Sequence, residues 1–176
     1  MQRNRLPYPT LRRAMAGFAL TCAALAGWQH LSAQAIAGHN SNAPVDFDAD
    51  RIELQDKQKR VVLSGNVRIS QGDLTLNAAR TTVAYTDAGG LQIQRLDATG
   101  GVVVTRGGES ARGAVAVYDF NKRVIIMSGG VNLRRGSDTL NGGRLVIDLR
   151  TGLSSVDGRA GGGSGGRVSG TFKVPD

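Results

Sequence analysis

The sequence predicts an all-β protein, and three observations carry that prediction. The stretch from Ser64 to Tyr85 returns without a gap, 64 positions on, from Ser128 to Leu149, and a shorter copy runs from Thr99 to Tyr118. In the long match Gly65 meets Gly129, Val67 meets Val131, Gly72 meets Gly136, Leu76 meets Leu140 and Arg80 meets Arg144. A strand-and-turn repeat of about 30 residues implies stacked β units. The second observation is period-two alternation of apolar and polar residues, broken by short Gly, Asp and Asn turns, which marks half-buried strands. The third is the lack of any convincing helical stretch. Ala78 to Thr82 is a candidate by composition, but its copies carry Gly113, Gly142 and Gly143.

The chain opens with Arg3, Arg5, Arg12 and Arg13 and no acid, followed by an apolar run from Ala14 to Trp28. Ala33 and Ala35 frame an Ala-Gln-Ala cleavage signature, so residues 1–35 read as a secretory signal peptide cut after Ala35. As a membrane anchor the run is short, about 15 residues against the roughly 20 that a span needs. Cys22 follows Ala19-Leu20-Thr21 rather than a leucine and two small residues, and reads as part of the apolar run instead of a lipid attachment point.

Cleavage would leave 141 residues with no cysteine and no tryptophan. An exported chain of this kind has no disulfide to rely on, and its stability comes from core and ladder. Four of the 22 basic residues and none of the 14 acidic ones lie in the first 35 positions, so 18 basic against 14 acidic residues leave a mature charge of +4 rather than +8. The length fits one domain.

Residues 36–44 read as a disordered mature N-terminus, 45–158 as the folded domain and 159–176 as a glycine-rich tail with a short strand-like end. In the domain, Val45, Phe47, Ala49, Ile52 and Leu54 alternate with polar residues and predict a half-buried strand; Gln55 to Arg60 is a polar hairpin tip. Val67 and Ile69 flank Arg68, Gln71-Gly72-Asp73 turns, and Leu74 and Leu76 flank Thr75. The later copies repeat this with Val102 and Val104, Val115 and Val117, then Val131 and Leu133, and Leu145 and Ile147. Val124 to Met127 is the most apolar strand.

Candidate chemistry is sparse. His39 stands alone in the lead, and neither a Cys/His metal spacing nor a histidine to activate Ser64 or Ser128 is present in the mature chain. The function class is therefore not enzymatic, with no cofactor and no metal. Asp46, Asp48 and Asp50 share one strand face and read as solvated. The glycine doublets supply turns and bulges, because phosphate cradles open helices. The arginines are interspersed with acids as on an ordinary solvated face, and Phe47, Tyr85, Tyr118, Phe120 and Phe172 are too few to stack bases, which excludes nucleic acid as a partner. Two features stay open: sheet edges without a folded cap, which invite strand addition, and an inward face rich in Val, Leu and Ile, either a filled core or a slot for an apolar ligand.

The runs ADRIELQDKQKRVVLSGNVRISQGDLTLNAARTTVAY, ATGGVVVTRGGESARGAVAVYD and SGGVNLRRGSDTLNGGRLVIDLRTG resemble the OstA-like domain of lipopolysaccharide transport proteins. The resemblance spans Val45 to Gly158; Gly65-Asn66-Val67 followed by Gln71-Gly72-Asp73, and Leu140 to Leu149, are its most specific parts. It implies an open, slightly twisted antiparallel β-jellyroll folded into a V, whose apolar groove holds the acyl chains of lipid A. The implied groove residues are Val67, Ile69, Leu74, Leu76, Val83, Val102, Val104, Val115, Val117, Ile125, Met127, Val131, Leu133, Leu145 and Ile147. The resemblance also implies lipopolysaccharide as cargo, head-to-tail self-association by edge strands, and a periplasmic bridge between an LptC-like inner-membrane partner and an LptD-like outer-membrane partner. A cleavable signal favours the free periplasmic type over an LptC-like anchored paralogue. The remaining alternative is a structural or polysaccharide-contacting β-solenoid with a closed core.

Overall fold

The computed structural model describes residues 39–159 and 166–174; the signal-peptide reading and the first three residues of the lead lie outside them. One antiparallel sheet makes up the domain. Its strands are β1 (Val45–Asp48), β2 (Arg51–Gln55), β3 (Arg60–Gln71), β4 (Leu74–Thr86), β5 (Gln92–Arg106), β6 (Glu109–Asp119), β7 (Val124–Arg135), β8 (Asp138–Asp148), β9 (Ser154–Asp157) and β10 (Ser169–Thr171). The six long strands form a meander from β3 to β8. Each sequence repeat is one hairpin of it, so the match at an offset of 64 positions relates β3–β4 to β7–β8. Every pairing is antiparallel, the opposite of the parallel stacking in a solenoid.

All the long strands bend at one place. The register shifts between Ser64 and Val67, Asn77 and Arg80, Thr99 and Val102, Arg112 and Val115, and Ser128 and Val131, so the irregularities line up across the sheet as a crease. β3, β5 and β7 make it with two consecutive left-handed residues, Gly65-Asn66, Gly100-Gly101 and Gly129-Gly130. Close approach adds a second demand on the glycine doublets: a Cβ on Gly129 would lie 2.5 Å from the Ala114 Cβ, and one on Gly100 2.6 Å from that of Ala79. The repeat's glycines thus build the fold line.

The crease divides the sheet into two arms that face each other across the core. One arm holds the first half of β3 with the matching halves of its neighbours and is extended by β2 and β9; the other is extended by β1 and β10. The single strand expected from Val45 to Leu54 is therefore two, broken at Ala49-Asp50. Asp50 accepts from Asn66 Nδ2 at 2.9 Å and its backbone N–H donates to the Gly65 carbonyl, tying the break to the crease.

Crossing the crease also resets which side chains point inward. On β3 the inward set passes from Leu63 to Val67, four residues on, and keeps its phase; on β6 it passes from Gly113 to Ala116 and slips by one. Val115 and Val117, expected to face inward, are therefore on the outer face, and Ala116 and Tyr118 take their places in the core. The other expected positions are inward: Val67, Ile69, Leu74, Leu76, Val102, Val104, Ile125, Met127, Val131, Leu133, Leu145 and Ile147 are buried, and Val83 is half-buried against them.

Candidate functional site

Most of that inward set is close-packed between the arms, with Val102, Val104, Ile125, Met127, Leu145 and Ile147 all at 0 % exposure. Space remains at the first edge. A cavity of about 190 Å³ opens there, lined by Val45, Phe47, Val61, Leu63, Ile69, Val83, Tyr85, Leu91, Ile93 and Leu96. Val45, Phe47 and Ile69 come from one arm, and Val61, Leu63, Val83, Ile93 and Leu96 from the other. Of the fifteen groove residues implied by the sequence, only Ile69 and Val83 line it.

The cavity lies where the sheet ends, between β1 and β3 of one arm and β3, β4 and β5 of the other. Phe47 is half exposed and Leu91 72 % exposed, so large apolar side chains stand at the cavity's rim. Such surfaces gain free energy by covering apolar matter, roughly 25 cal/mol per Å². The sequence reading missed Phe47, Leu63, Leu91, Ile93 and Leu96 as site residues. Their alternation was legible, but the location of the unfilled space depends on how the two arms pack on each other.

The two edges differ. At the first, β1 and β2 present exposed Phe47, Ile52 and Leu54. At the last, β10 covers only Thr139 to Asn141 of β8, and Val168, Phe172 and Val174 are exposed beside it. Edge strands with unpaired backbone groups and apolar side chains are templates for strand addition.

A buried polar cluster closes the open side of the V, where the sequence predicted only a free lead and a turn. His39, expected to stand alone, has a fully buried side chain; its Nε2 lies 3.0 Å from Gln71 Oε1, and its Nδ1 lies 3.6 Å from Asp73 Oδ1. Gln71 does not turn but ends β3 on the inward face. Its Nε2 donates to the carbonyls of Ser41 (2.9 Å) and Ala43 (3.1 Å), and its Oε1 accepts from the Tyr118 hydroxyl at 3.0 Å. Burial, the largest single influence, pushes Asp73 up, but the bond from Arg106 Nε (2.8 Å), the Arg106 charge and smaller contributions from neighbouring donors together hold the carboxyl below its usual range. Burial raises Tyr118, whose ring stacks on Phe120 with centroids 4.0 Å apart. The alternation Val67, Ile69, Gln71 was the signal for an inward amide.

Asp46 and Asp48 are exposed on the outer face of β1, while Asp50 serves the crease. No group of three or more His, Cys, Asp or Glu residues able to hold a metal occurs among the described residues. No described helix is long and apolar enough to cross a membrane.

Comparison with known proteins accounts for this architecture. The family model described as LptA/(LptD N-terminal domain) LPS transport protein matches residues 46–153. An uncharacterized protein of Rhizobium meliloti (strain 1021) is 27% identical over 136 residues, which cover 73% of this chain and 70% of that protein. Among solved structures, the fold is similar to LptH of Pseudomonas aeruginosa, the LptA homologous periplasmic component of its lipopolysaccharide transport device. That match has a TM-score of 0.68 at 17% identity and covers 77% of this chain and 99% of LptH. With its creased, open antiparallel sheet and a family match over more than half its length, this chain belongs to the LptA/(LptD N-terminal domain) family of lipopolysaccharide transport proteins.

Proposed function

We propose that the protein is a periplasmic carrier that takes lipopolysaccharide from an LptC-like inner-membrane partner to an LptD-like outer-membrane partner, catalysing nothing. The observation that carries this reading is the cavity at the first edge, lined by apolar and aromatic side chains from both arms and rimmed by Phe47 and Leu91. Acyl chains of lipid A are the cargo such a surface suits, since each buried methylene contributes roughly 0.8 kcal/mol without any polar chemistry. Head-to-tail association through the β1 and β8–β10 edges would line up successive cavities into a path.

The test is photo-crosslinking in the native cell. Crosslinkers replacing Ile69, Val83 or Leu91 at the cavity are expected to capture lipopolysaccharide, and ones at Arg68 and Val117 on the outer face are not. Equal capture at all five positions would reject the cavity as the lipid site.

A further inference from the structure

The interior beyond the cavity is closed in this structure, and across its open side residues 39–44 run from one arm to the other. Gln71 and Asp73, at the tip of the arm carrying β1, meet the lead through Ser41, Ala43 and His39. The tip of the opposite arm meets the same segment through Arg123, which donates to Asn42 Oδ1 at 3.1 Å, and joins the cluster through Tyr118 on Gln71.

The hydrogen bonds fix the roles of the imidazole nitrogens. Gln71 must point its amide NH₂ at the two carbonyls, so its oxygen faces His39 and Tyr118, and His39 Nε2 must carry a hydrogen to donate to it. In the neutral ring Nδ1 is then a bare acceptor, buried without a hydrogen-bond partner and turned toward the Asp73 carboxylate. That arrangement wastes a buried polar atom and sets a lone pair against a negative charge. The strap is held instead through Gln71, which meets Ser41, Ala43, His39 and Tyr118 at once.

We propose that residues 39–44 form a clasp that pins the two arms together, held by Gln71 and Asp73 on one arm and by Arg123 on the other. The charged and titratable groups around the ring are Asp73 on the β3–β4 turn, Arg106 of β5 behind it, Tyr118 of β6, and Arg123 of the β6–β7 turn acting through Asn42. When the strap is released, the arms gain freedom about the crease, and the slot can widen from the cavity inward. The clasp stands on these contacts alone; its use in admitting an acyl chain rests on the lipid reading above.

The two ends of β6 report the angle between the arms, because the strand crosses the crease. Spin labels at Gly108→Cys and Lys122→Cys, both in exposed turns, would be placed in protein exported from the full-length precursor carrying Cys22→Ser. Distances would be measured in the otherwise unaltered protein, in Gln71→Leu, which loses the bonds to Ser41, Ala43 and Tyr118, and in Arg123→Ala, which loses the bond to Asn42. The expected result is one narrow distribution with the strap intact and a longer, broader one in both variants. Distributions that stay unchanged in both variants overturn the clasp. Failure of the crosslinking above with this lengthening present would reject the lipid reading and leave the clasp standing.

Discussion

Gly129 offers the sharpest test of the crease. Its φ is +84°, where a side chain costs roughly 1–2 kcal/mol per residue. A Cβ there would also lie 2.5 Å from the Ala114 Cβ across the β6–β7 pair, and relieving such a contact in a packed sheet costs about 1–3 kcal/mol. Gly129→Ala should therefore destabilise the domain by about 2–5 kcal/mol. Its neighbour separates the two contributions. Gly130 has φ +68° but nothing within 4 Å of its would-be Cβ, so Gly130→Ala should cost only about 1–2 kcal/mol. Adding Ala114→Gly to Gly129→Ala removes the clash and should recover about 1–3 kcal/mol, read as a coupling energy in a double-mutant cycle. Urea unfolding with matched m-values is the assay. The reasoning fails if Gly129→Ala and Gly130→Ala cost the same, or if Ala114→Gly gives no rescue.

Two further outcomes follow from the packing and the charges. Met127→Ala, at a fully buried position between the arms, should cost about 2–5 kcal/mol, whereas Val117→Ala on the outer face should cost about 1 kcal/mol or less; equal losses would contradict the phase slip on β6. Asp119 and Asp148 are held below the usual carboxylate range, first by backbone N–H donors from Lys122 and Thr151 respectively; Asp73 is low because the Arg106 bond and charge, with smaller contributions from neighbouring donors, together overcome its burial. A depressed folded-state value means that the native protein binds fewer protons than the unfolded chain. The stabilisation is complete above the ordinary aspartate range and is lost as pH falls below about 4. Urea midpoints that stay level from neutrality to below that point would refute these roles.

Much of the fold can be read directly from the chain. The match at an offset of 64 positions marks the β3–β4 and β7–β8 hairpins, and period-two alternation identifies most inward positions, because strand geometry sends successive side chains to opposite faces. The doublets at 100–101 and 129–130 announce backbone that ordinary residues resist. Family membership follows from motifs in the same stretches, Gly65-Asn66-Val67 and Gln71-Gly72-Asp73 among them.

Other features depend on distances across the fold. Whether β6 keeps or loses its inward phase at Gly113-Ala114 is decided by its neighbours, which is why Val115 and Val117 point outward while Val102 and Val104 do not. The cavity is a shortfall of side-chain volume between two arms, and no local pattern records a volume that is missing. His39 and Gln71 look unremarkable 32 positions apart; they become a site only because folding about the crease brings the arm tips within reach of the lead. Local backbone preference wrote the strands and turns into the sequence. The packing of one arm on the other determined which residues line a cavity, which fill a core and which hold the open side closed.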